Sequence, residues 1–182
     1  MSLGEEILAI YRSRGSAAYF GESVSMTEHG LQAAHFARSA RAPDALVLAA
    51  LLHDIGHLIA AVPDALEDWT SDAQHEQSGA RWLAARFPPA VCEPVRLHVA
   101  AKRYLCATDR GYHARLSPAS VHTLALQGGP MSPAEVAQFE AERFHRDAVW
   151  VRYCDDRGKV AGLETERLED YLGLLDALAV TR

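Results

Sequence analysis

The stretch Leu51-Leu52-His53-Asp54-Ile55-Gly56-His57 follows the apolar residues Leu46, Val47 and Leu48, and its adjacent His-Asp pair decides how the rest of the chain is read. An imidazole and a carboxylate carried into apolar surroundings have to be paired or metal-bound, because buried charge without a partner is strongly disfavoured. Imidazole suits iron, zinc, manganese or nickel, and one carboxylate can bridge two ions through its two oxygens. The dipeptide alone carries little weight. It matters because more histidines and an aspartate follow at intervals that a site could use.

The chain has 182 residues, 49% of them apolar and 23% charged, which fits one soluble globular domain over 1–182. A net charge of −6 argues against a general nucleic-acid or anionic-membrane binder. Local basic residues can still hold a small anion. Cys92, Cys106 and Cys154 have no paired spacing, so the expected compartment is a reducing cytoplasm. Nothing reads as a signal peptide, and no apolar run is long enough to span a bilayer.

Outward from the His-Asp pair, nearly every long segment has helical periodicity and none shows sustained alternation. Helices are expected over 3–14, over 27–42 with Thr27 as N-cap, and from 45 to about 54 with Asp44 as cap and Gly56 as stop. A looser stretch, 60–72, holds Pro63 and several acids. Helices then follow over 73–87, 90–107, about 117–126, from the capping box Ser132-Pro133-Ala134-Glu135, and over 146–156 and 164–179. The expectation is an all-α bundle of about eight helices with no sheet.

His29 opens one helix, His53 ends the next, His75 opens another, and His98 lies mid-helix between Val95, Leu97 and Val99. Any one of these taken alone is more often a core or surface residue than a ligand. His98 fits that reading worst, since a buried imidazole must find partners for both nitrogens. Asp155-Asp156 lies in Trp150-Val151-Arg152-Tyr153-Cys154-Asp155-Asp156, on a helix with an apolar face. His35, His113, His122 and His145 match no ligand pattern.

Together, His29, His53-Asp54, His75, His98 and Asp155 resemble the six-ligand, dinuclear pattern of the HD-domain superfamily, an all-α helical bundle. Three further elements narrow the resemblance. Tyr19-x2-Glu22-x6-His29 precedes the first ligand, and Lys102 lies one helical turn after His98. Ser120-x2-Thr123 leads into Gln127-Gly128-Gly129-Pro130 and then Asp155-x3-Lys159. These are similar to the mixed-valent diiron oxygenases of the PhnZ type, and more distantly to myo-inositol oxygenase, over about residues 5–160, with a metal-binding core of about 15–160.

That resemblance implies two irons, Fe(II)/Fe(III), with dioxygen as co-substrate. It implies cleavage of the carbon–phosphorus bond of a small α-hydroxyphosphonate, typically 2-amino-1-hydroxyethylphosphonate or its N-methylated analogue, giving phosphate and an amino acid. His29, His53, Asp54 and Asp155 would hold one iron, and Asp54 would bridge to a second held by His75 and His98. Tyr19 would gate the iron and Glu22 would meet the substrate amine. His57, Lys102, Ser120 and Thr123 would contact the phosphonate. A trimethylammonium would instead favour an aromatic cage, to which Tyr104, Tyr112 or Trp69 could contribute. The partner implied is a small phosphonate, with neither nucleic acid nor membrane, and the chain a monomer or small homo-oligomer. Two other readings use the same residues: an HD metal-dependent phosphohydrolase acting on a nucleotide or phosphomonoester, and a binding module with a dead site. The filled ligand positions weaken the second of these.

Overall fold

A computed structural model describes residues 1–60 and 74–180. The expected loose stretch 60–72 and Trp69 fall outside the described residues, apart from Ala60. The all-helical expectation holds. There are ten α-helices among the described residues: α1 Leu3–Arg14, α2 Met26–Ser39, α3 Asp44–Leu52, α4 Ile55–Ile59, α5 His75–Ala84, α6 Pro89–Thr108, α7 Pro118–Leu126, α8 Pro133–Ala141, α9 His145–Arg157 and α10 Leu172–Leu178. Extended pairing among these residues is limited to one bridge between Ala18 and Ser25.

Helix α3 is apolar on every side, and Val47 through Leu52 are all buried, as a helix surrounded by neighbours requires. Around it stand α2, α6 and α9, with α5 and α4 closing one side and α1 and α10 crossing another. Two contacts, the first buried and the second part-buried, tie these layers. Tyr11 of α1 donates its hydroxyl to the Leu51 carbonyl at 2.6 Å, and the Gly4 amide donates to Asp176 of α10 at 2.7 Å.

Local chemistry moves several of the expected boundaries. The N-cap of α2 is Ser25, not Thr27: Ser25 accepts from the Glu28 amide while the Glu28 side chain reaches back to the Ser25 amide. Asp44 is the first residue of α3 behind Pro43, with no side-chain cap. The stretch 164–179 is helical only from a 3₁₀ turn at Leu168–Tyr171 into α10.

Gly56 is not a stop either; it lies inside α4. A Cβ at Gly56 would stand 2.0 Å from the His75 carbonyl oxygen, so the glycine is there to let α4 and α5 touch backbone to backbone. Among the described residues no helix is long and apolar enough to cross a membrane.

Gly56→Ala should therefore destabilise the fold by about 2–3 kcal/mol or more, since backbone cannot yield as a side-chain tip can. That corresponds to a drop in Tm of about 4–12 °C. Gly173→Ala on α10, where a Cβ meets nothing within 4 Å, should stay within about 0.5 kcal/mol of the parent. Equal melting curves for the two variants would contradict the assigned role of Gly56.

Candidate metal centre and substrate pocket

The chain breaks helix after Leu52 and restarts at Ile55, with Asp54 at φ −102°, ψ 11° between. This break turns both His53 and Asp54 inward. The His53 Nδ1–H is taken by the Ala50 carbonyl at 2.8 Å, one of the acceptors that a helix C-terminus leaves free. His98 gives Nδ1–H to the Val95 carbonyl at 2.7 Å, and His29 gives it to the Gly158 carbonyl at 2.8 Å. Gly158 is the residue after α9, and a Cβ there would crowd His29 Nδ1 at 3.0 Å.

With Nδ1–H committed, each ring turns an Nε2 lone pair inward. His29 Nε2 and His53 Nε2 face each other at 3.0 Å, and His75 Nε2 and His98 Nε2 at 3.2 Å. Asp54 lies between the pairs. Its Oδ2 is 3.5 Å from His29 Nε2 and 3.3 Å from His53 Nε2, while its Oδ1 is 3.1 Å from His75 Nε2 and 3.5 Å from His98 Nε2. Asp155 Oδ1 closes the first group at 3.4 Å from His29 Nε2. Asp54 Oδ2 and Asp155 Oδ1 are buried with no hydrogen-bond partner among the described residues.

Donors sharing an ion at about 2.1 Å stand about 3.0–3.4 Å apart, so this donor set fits a cation in each group. The triads His29/His53/Asp54 and Asp54/His75/His98 each converge within 4.8 Å.

Without ions, protons must relieve the opposed lone pairs. Burial, and then His53, push His29 down to about 4. Burial also disfavours charge on His53, but the Asp54 carboxylate outweighs it and holds His53 up at about 9. Asp54 is itself held well below the usual carboxylate range, because His53 and its other imidazole neighbours outweigh the burial that opposes its charge.

One cavity of about 40 Å³ opens onto this centre, lined by Asp54, His57, His75, His98 and Asp155 together with Lys102, Ser120, Thr123, Arg152 and Lys159. Lys102 donates to Thr123 Oγ1 at 2.8 Å, and Lys159 donates to Ser120 Oγ at 3.0 Å. Ser117 caps α7 and sets Ser120 and Thr123 on one face. Burial, reinforced by Arg152 and Lys159, depresses the Lys102 ammonium to about 7, so this cationic group is primed for a counter-anion.

A tight turn projects two aromatic rings over the centre. Phe20 and Gly21 both have positive φ, at +43° and +80°. The Tyr19 ring stacks on His29 at 3.8 Å, and Phe20 meets His57 edge-on at 4.7 Å.

Glu22 is set back from the cavity lining, 3.8 Å from Lys159 Nζ. Two candidate cage aromatics lie elsewhere. The Tyr104 hydroxyl binds Glu140, and the Tyr112 hydroxyl binds Asp156. The aromatic residues lining the cavity are Tyr19 and Phe20 among the described residues.

Arg152 and Lys159 had no role assigned from sequence. Arg152 is buried, donates to Asp155 Oδ2 at 2.6 Å, binds Asp156, donates to the Tyr112 hydroxyl at 2.9 Å and reaches Ser120 Oγ at 3.4 Å. Its spacing of three and four residues before two acids was the signal in the sequence.

The HD domain model matches residues 24–147. The chain is 47% identical over 161 residues, 88% of its length and 82% of the relative's, to a [1-hydroxy-2-(trimethylamino)ethyl]phosphonate dioxygenase (glycine-betaine-forming) of Leisingera caerulea. It is 43% identical over 175 residues, 92% and 85% of the two lengths, to a hydroxymethylphosphonate dioxygenase of Gimesia maris.

Metal analysis after anaerobic loading should find two ions per chain. Asp54→Ala should lose both, and His98→Ala should lose the second preferentially. Because a first ion must displace the His53 proton, its apparent affinity should rise about tenfold per pH unit and level off near pH 9. A pH-independent affinity would show that His53 does not hold the ion.

Proposed function

The chain belongs to the HD domain family, and on that premise we propose that it is a diiron oxygenase that uses dioxygen to cleave the carbon–phosphorus bond of a small α-hydroxyphosphonate, releasing phosphate. One observation carries the reading: a single small cavity is lined both by Asp54, His75, His98 and Asp155 of the donor cluster and by a cationic, hydroxyl-bearing cradle. The likeness to two phosphonate dioxygenases supports it.

In this reading His29, His53, Asp54 and Asp155 hold one iron, and Asp54, His75 and His98 hold the other. The mixed-valent pair supplies the activation of dioxygen and of the substrate hydroxyl. The protein's own groups do the rest. Lys102, Ser120 and Thr123 bind the phosphonate by charge-assisted hydrogen bonds, with Lys159 and Arg152 adding positive charge behind Ser120. His57, stacked on His75 at 3.9 Å, borders the same oxygens. Tyr19 and Phe20 cover the centre and limit water, and Tyr19 acts as the gate. Glu22, once drawn away from Lys159, meets the substrate amine. The enzyme is proposed to work as one HD-type domain on a dissolved substrate in the cytoplasm, as a monomer or small homo-oligomer, without nucleic acid or membrane.

Phosphate release should be followed by phosphorus NMR for 2-amino-1-hydroxyethylphosphonate, its trimethylated analogue and hydroxymethylphosphonate. It should require iron and dioxygen. Equal release under strict anaerobiosis, or fast turnover of nucleoside monophosphates with manganese, would identify a phosphohydrolase instead.

Lys102→Ala should lower kcat/KM about 30- to 1000-fold, roughly 2–4 kcal/mol, for every phosphonate alike. Glu22→Ala should slow the primary-amine substrate and spare hydroxymethylphosphonate. Equal losses on both would assign Glu22 to the turn that carries Tyr19 rather than to substrate.

A further inference from the structure

Three of the four imidazoles in the centre hand Nδ1–H to a backbone carbonyl. His75 does not. Its Nδ1 is buried with no hydrogen-bond partner among the described residues, and 3.7 Å away stands Glu76 Oε2, also buried and without a partner among them. Both residues sit in the first turn of α5, and Glu76 is only 6% exposed. A carboxylate so buried is costly to keep without a hydrogen-bond donor.

An ion on His75 Nε2 forces the proton onto Nδ1, creating a donor for Glu76 Oε2. The α4–α5 contact at Gly56 fixes the His75 backbone, so closing the 3.7 Å between the two atoms falls to the side chains.

We infer that Glu76 is a positioning residue that accepts the Nδ1–H of His75, fixing its tautomer and ring orientation and placing the His75/His98 ion in the more negative field of the pair. The inference rests on the diiron reading above. The two ends of the centre are then electrostatically unlike. At the first, the guanidinium of Arg152 holds Asp155 Oδ2 at 2.6 Å and draws charge away from the ligand. At the second, a carboxylate pushes charge toward the imidazole. A more negative surrounding favours the higher valence, so the pair becomes unequal before any substrate arrives.

The test loads the full chain anaerobically with ferrous iron against a competing chelator, then follows a redox titration by electron paramagnetic resonance. Glu76→Leu should weaken the second ion by about 10- to 100-fold and leave the first at parental affinity. Glu76→Gln keeps an acceptor but not the charge. It should keep two ions per chain and shift the mixed-valent signal to a higher midpoint potential, which a purely structural role would not do. It also serves if the leucine variant does not fold. Parental affinity and potential in both folded variants would overturn the inference while leaving the diiron reading intact. A parent chain that binds no iron would overturn both.

Discussion

Four imidazole lone pairs meet in the interior of this bundle, and the fold depends on reconciling them. Two rings that point Nε2 at each other across 3.0 Å repel unless a proton or a cation stands between them. Asp54 makes a double arrangement feasible, because each of its oxygens serves a different pair. Its position comes from a short backbone device, the interruption between α3 and α4. A continuous helix would carry His53 and Asp54 about 100° apart around the axis, and the carboxylate could not stand between the two pairs.

The cradle depends on the same centre through α9. Arg152 grips Asp155 with one nitrogen and Ser120 with another, so a carboxylate of the donor cluster and a hydroxyl of the cationic cradle share one guanidinium. Displacing the hydroxyl therefore disturbs the carboxylate, and the planar, always-charged fork suits this double role better than an ammonium could. Lys102 contributes differently: burial, with Arg152 and Lys159 near it, disfavours its charge.

The helical bundle was legible in the period of its apolar residues, whereas the grouping of His29, His53, Asp54, His75, His98 and Asp155 was visible only through the likeness of their order to the HD-domain pattern. Residue type alone left each of these histidines a plausible core or surface residue, and Lys102, one helical turn after His98, took on meaning only through the same resemblance. What was not legible was contact across the chain. Glu22 and Lys159 meet although 137 positions separate them (159 minus 22), and nothing in either neighbourhood signals it. Arg152 looks in sequence like a surface partner of two acids because burial leaves no mark on i, i+3 spacing. At Ser25-Met26-Thr27-Glu28 two hydroxyl residues compete for one cap, and the glutamate three positions on from Ser25 decides it. Gly56 misleads because a glycine for helix termination and a glycine for backbone contact look the same in sequence.

The Gly158–His29 contact has a bearing on how the protein matures. The carbonyl that orients the first histidine belongs to the residue just past the helix bearing Asp155, so the earliest donor is aimed only after the latest one has been made. During synthesis, residues 29, 53 and 54 are made long before their partner at 158, so the donor cluster gains its geometry only in the completed fold, and any ion it takes up would be chosen by that geometry rather than by the early residues alone.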